Sequence, residues 1–76
     1  MVSDKLKKVI LAQLDLDEWD IQDETIAEAV PGWDSLSHVR IISAIEDAYG
    51  MRFRTGEILR LKNVGQLQTL IDKKIG

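Results

Sequence analysis

The sequence predicts an all-α fold: a small four-helix bundle with a long loop between the first and second helices and a short third helix. Three observations predict it. Apolar residues recur at spacings of three and four through most of the chain, which is the period of one helix face. Helix-capping residues precede these runs at four places, Ser3 or Asp4, Asp34, Thr55 and Asn63. No segment alternates like a strand, and none repeats or is of low complexity.

Leu6, Val9, Ile10 and Leu14 build the apolar face of the first helix, predicted over about residues 4–15, with Ser3 or Asp4 as its cap. Residues 15–32 break the period. They hold seven acids (Asp15, Asp17, Glu18, Asp20, Asp23, Glu24 and Glu28) and no base. A structureless connection of this length is uncommon in a compact domain. Trp19, Ile21, Ile26 and Val30 are therefore expected to pin it to the core, and Pro31-Gly32 closes it with a turn.

The second helix is predicted over about residues 35–49, capped by Asp34, with Leu36, Val39, Ile42, Ile45 and Tyr49 as its stripe. Gly50 stands where a left-handed C-terminal residue belongs. Met51-Arg52-Phe53-Arg54 reads as a short extended link with Phe53 pointing inward. Thr55 is the expected cap of a short third helix holding Ile58, Leu59 and Leu61. Asn63 caps the last helix, with Gln66 three residues on in a capping-box arrangement. Val64, Leu67, Leu70 and Ile71 supply its apolar face.

The 76 residues suffice for one domain, 1–76. A core of this size is marginal, worth roughly 3–5 kcal/mol net. A hydrophobic content of 45% argues for a folded core rather than disorder. With no cysteine and one histidine, neither disulfides nor a thiolate or multi-histidine metal site is available. The acidic loop fails as a calcium site. Starting at Asp15, it places Trp19 at a ligand position, Asp20 where glycine belongs and Ile26 where the bidentate glutamate belongs. The N-terminus lacks the apolar run of a signal peptide, and nothing approaches the ~20 apolar residues of a membrane span. A cytoplasmic, free-standing monomer is the expectation.

Charge is uneven. Residues 1–33 carry eight acids and three bases, whereas residues 51–76 carry six bases and two acids. The basic third fits either a docking surface for an acidic partner or ordinary solvated helix faces. The acidic remainder would repel phosphates, so nucleic acid is not expected as a partner.

The segment that stands apart is Gly32-Trp33-Asp34-Ser35-Leu36. It puts the Ser35 hydroxyl at a helix N-terminus, where unpaired N–H groups and the positive end of the helix dipole favour a phosphate. Leu36 is expected to turn into the core and fix the serine outward, and Gly32 to leave room for another protein to approach. Ser35 could equally be a plain helix-start residue on these grounds alone. Asp34, Ser35 and His38 do not make a hydrolase: no oxyanion hole is evident and the motif is not a nucleophile elbow. No catalytic residue is expected. His38 reads as a surface residue. Trp33 either packs against the helix ends or shapes an exposed surface.

Asp34-Ser35-Leu36, after a turn and before an amphipathic helix, resembles the phosphopantetheine attachment motif of the acyl carrier protein family. The resemblance spans nearly the whole chain, in length, in helix order and in Val64-Gly65-Gln66-Leu67 at the start of the last helix. It implies a bundle of the acyl-carrier type. It also implies that a phosphopantetheinyl transferase moves 4'-phosphopantetheine from coenzyme A onto Ser35, with Asp34 and Leu36 as part of the motif. The thiol that this sequence lacks would then come with the arm. Acyl-loading and acyl-processing enzymes would be the further partners.

Housekeeping fatty-acid carriers usually present an acidic second helix. Here the run is Ser37-His38-Val39-Arg40, and Arg52 and Arg54 follow in the link. This departure suggests a specialised lipid or secondary-metabolite pathway, with Trp33, His38, Val39, Arg40, Arg52 and Arg54 on the partner-facing surface. An aminoacyl, D-alanyl or peptidyl carrier loaded by an adenylating enzyme is the near alternative. An unmodified helical interaction module is the distant one.

Overall fold

The structure, a computed structural model, describes residues 2–75. Its elements are α1 (Asp4–Leu14), a short 3-10 turn (Ala27–Ala29), α2 (Ser35–Tyr49), α3 (Thr55–Leu59) and α4 (Val64–Ile75). The described residues contain four α-helices and no strand, with a long loop between α1 and α2 and a short α3.

Ser3 is the cap of α1, its hydroxyl accepting from the Leu6 N–H at 3.2 Å. The helix stops one residue earlier than expected. Asp15 adopts the left-handed conformation (φ 56°), and Leu16 N–H closes the end onto Leu11 O at 3.0 Å. At α2 the Asp34 carboxylate accepts from Ser37 N–H at 2.8 Å, and Gly50 ends the helix at φ 64°. Thr55 does not cap α3; it is the first helical residue. Arg54 takes the cap position, its N–H donating to the Glu57 carboxylate at 2.9 Å. Asn63 caps α4 by accepting from Gln66 N–H at 2.8 Å, while the Gln66 side chain accepts from Lys62 N–H at 2.9 Å.

One cluster forms the core: Val2, Leu6 and Ile10 around α1, Ile21 from the loop, Ile41, Ile42 and Ile45 of α2, and Val64, Leu67 and Ile71 of α4. Phe53 packs against it from the link, as expected. The second-helix stripe requires correction. Ile41 is buried, whereas Leu36 and Val39 stand 62% and 65% exposed. At 3.6 residues per turn, Leu36 falls on the side opposite Ile41, Ile42 and Ile45, and His38 falls in line with them. Two loop anchors also differ. Ile21 and Val30 are buried, but Trp19 and Ile26 are exposed. Leu59 points to solvent, and Leu61 lies beyond the end of α3.

The long loop is held by backbone as well as by Ile21. Its carbonyls meet the first N–H groups of α4, Asp23 O accepting from Gly65 N–H at 2.8 Å and Thr25 O from Val64 N–H at 2.9 Å. Two donors that a helix start leaves open are thereby satisfied by the loop. A Cβ on Gly65 would sit 2.8 Å from Asp23 O, so the approach requires glycine. A second tie is the buried Gln68. Its Oε1 accepts from both the N–H and the hydroxyl of Ser3 at 2.9 Å, and its amide donates to Asp72 at 2.8 Å. The start of α1 is locked to α4 in this way.

Candidate functional site

Ser35 is the first residue of α2, and its side chain is exposed. The preceding Asp34 is extended (φ −105°, ψ −172°), so the chain turns into the helix at the serine itself. The Asp34 carboxyl is held below the ordinary carboxylate range, first by the Ser37 N–H and then by the Ser37 hydroxyl. It is therefore an anion committed to the cap. Gly32, at φ 80°, makes the turn before it. The orientation of Ser35 thus follows from the turn and the cap, and not from burial of Leu36 as expected, since Leu36 points to solvent.

Beside Ser35 runs an open groove of about 500 Å³. The 3-10 turn contributes Ala27 and Glu28, and Trp33, Asp34, Ser35 and His38 form one side. Ile58, Leu59 and Leu61 come from α3 and its end, and Val64 and Leu67 from α4. The lining is mixed: Trp33, Ile58, Leu59, Leu61, Val64 and Leu67 are apolar, and Glu28, Asp34, His38, Lys62 and Asn63 are polar. These lining residues outside the motif carry no local signal in the sequence; only the packing of α3 and α4 against α2 brings them to the serine.

His38 is half-buried rather than at the surface, because it continues the core-facing line of α2. Its Nδ1 accepts from the Trp33 indole N–H at 3.1 Å, and the two rings stack with centroids 6.1 Å apart and 27° between planes. Trp33 is half-buried and packs against the core, and it also lines the groove beside Ser35.

The other surface residues divide. Val39, one turn after Ser35, and Arg40 are exposed on α2. Arg52 is exposed in the link after α2. It pairs with Glu46 at 3.6 Å, and Glu46 lies about 16 Å along the helix from Ser35 at 1.5 Å per residue. Glu46 also accepts from Phe53 N–H at 2.8 Å, which anchors the link. Arg54 is exposed at the start of α3. No group of acidic or histidine side chains able to hold a metal occurs among the described residues.

The whole-chain comparisons agree with this architecture. No protein-family model matches the chain. It is 28% identical over 72 residues to the acyl carrier protein of Thermotoga maritima, covering 95% of this chain and 89% of that one. It is 29% identical over 69 residues to that of Saccharopolyspora erythraea, covering 91% of this chain and 73% of the other. The solution structure of a holo acyl carrier protein from Geobacter metallireducens superposes with a TM-score of 0.89 at 40% identity. That match covers 95% of this chain and 83% of the other.

Proposed function

The chain belongs to the acyl carrier protein family, and on that premise we propose that it carries an acyl group as a thioester on a 4'-phosphopantetheine arm attached to Ser35. The observation that supports this most directly is the exposed Ser35 at the start of α2, behind a capping aspartate and beside an open groove. When bound, the arm supplies the thiol that this cysteine-free chain lacks, and the thioester activates the carried carbonyl.

The residues present fit such a group. Ser35 offers a hydroxyl in reach of another protein, and the α2 N-terminus favours the phosphodiester anion. Asp34 is engaged by Ser37 and holds the first turn in place, so that the serine keeps one orientation. Leu36, exposed, is available to the transferase instead of to the core. The groove gives an arm or a carried chain an apolar wall beside its attachment point.

The rest of the reading is that of a carrier without a catalytic site of its own, served by a phosphopantetheinyl transferase and by acyl-loading and acyl-processing enzymes. The first turns of α2 carry the exposed Arg40 and no acid before Glu46, which supports a specialised pathway whose enzymes do not rely on an acidic start of this helix. No helix among the described residues is long and apolar enough to cross a membrane. A single cytoplasmic domain spanning 1–76 fits this role.

Intact mass before and after incubation with coenzyme A, magnesium and a broad-specificity phosphopantetheinyl transferase tests the attachment. The expected outcome is a gain of one phosphopantetheinyl group by the wild type and none by Ser35→Ala. A folded, unmodified wild type that gains nothing, even with the transferase of its own source, would favour the interaction-module reading.

A further inference from the structure

We propose that His38 is a positioning residue that acts through Trp33: neutral His38 latches the indole as a wall of the groove beside Ser35, and protonated His38 releases it. Three observations carry this. The Trp33 indole N–H donates to His38 Nδ1 at 3.1 Å. Both residues line the groove together with Ser35. Both are half-buried, so the bond is partly shielded from competing water.

The chemistry leaves little freedom. An indole nitrogen only donates, so Nδ1 must be the acceptor and the neutral ring must carry its proton on Nε2. An imidazolium has a proton on both nitrogens and offers no acceptor. It would turn an N–H toward the indole N–H, and the two donors repel. Stacking alone, with centroids 6.1 Å apart, is a weak substitute.

Other charged groups border the same groove. Glu28 comes from the 3-10 turn, Asp34 from the α2 cap and Lys62 from the link before α4. Asp34 is committed to Ser37 N–H. On α2 itself, Arg40 is exposed. Glu28 and Lys62 are of opposite sign, so His38 is the group whose charge reverses the hydrogen bond. One consequence rests on the carrier reading: a group held at Ser35 meets a groove wall that is fixed when His38 is neutral and loose when it is charged. The latch itself belongs to the unmodified chain.

The test therefore uses the unmodified protein, with Trp19→Phe leaving Trp33 as the sole tryptophan. Acrylamide quenching of Trp33 fluorescence is followed from about pH 8 to about pH 5, with far-UV circular dichroism to verify the fold. The expected result is a rise of about twofold in the quenching constant as the acceptor is lost. In the same background, His38→Gln keeps a carbonyl acceptor that does not titrate, so quenching stays low and flat. His38→Leu has no acceptor, so quenching is high and flat. Glu28→Gln leaves the pH response in place. A flat response with His38 present, a pH response that survives in His38→Leu, or one abolished by Glu28→Gln would overturn the latch. None of these outcomes depends on whether Ser35 accepts an arm.

Discussion

Two regions of this small bundle are built to opposite rules. Where the long loop and the start of α1 meet α4, polar groups are closed off. Gln68 is buried and bonded to Ser3 and Asp72, and the loop carbonyls of Asp23 and Thr25 take the first N–H groups of α4. At the start of α2 the rule is reversed. Leu36 and Val39 stand in solvent, Ser35 is exposed, and a groove lies open beside it. Apolar side chains left in water lose the roughly 25 cal/mol per Å² that burial would contribute. Stability is concentrated where the loop must be held, and the Ser35 end is left unburied for contact.

Truncation separates buried from exposed positions most sharply. Leu67→Ala removes a side chain only 3% exposed and is expected to cost ~2–5 kcal/mol in urea unfolding. Leu36→Ala, at a site 62% exposed, should stay within ~0.5 kcal/mol of wild type and show its effect in transferase kinetics instead. Equal losses at the two positions would mean that α2 is turned differently about its axis.

Gly65→Ala is the next largest break. The new Cβ would meet Asp23 O at 2.8 Å, and Asp23 O is backbone that cannot swing aside. A loss of ~1–3 kcal/mol is expected, with faster amide exchange at Val64 and Gly65, whose N–H groups bond to the loop. Unchanged exchange would show that these two bonds do not hold the loop, leaving that to the buried Ile21 and Val30 and to the Val2 N–H bond to Asp23 Oδ1.

The smallest effect is in pH. Asp34 is held below the ordinary carboxylate range by Ser37, and Glu57 by Lys74, whose Nζ is 2.7 Å away. Both folded-state values are depressed. Their stabilisation is present above the ordinary carboxylate range and is lost as pH falls through the lowered folded values. Asp34→Asn keeps an acceptor at the cap and should flatten its share of the acid limb. Thermal melts from neutral to acid pH check this, and an unaltered limb would assign it to other carboxylates.

The helices could be read from the chain because their signals are local. The 3.6 period, Ser3, Asp34 and Asn63 at the caps and Gly50 at the end of α2 each need only a few neighbouring residues. Asp34-Ser35-Leu36 was legible for the same reason: capping residue, serine and helix start are consecutive. Which apolar residues are buried was not local. Leu36, Val39 and Ile41 are alike in hydrophobicity, and only the packing of α2 against α1, the loop and α4 selects Ile41 and turns Leu36 outward. The same packing exposes Trp19, half-buries His38 against Trp33, and demands glycine at position 65 because the loop backbone passes there. The sequence by itself determined where α1, α2 and α4 begin and where α2 ends. The tertiary structure decided which faces meet, because a period is common to every apolar residue on a helix face whereas contact depends on groups far apart in the chain.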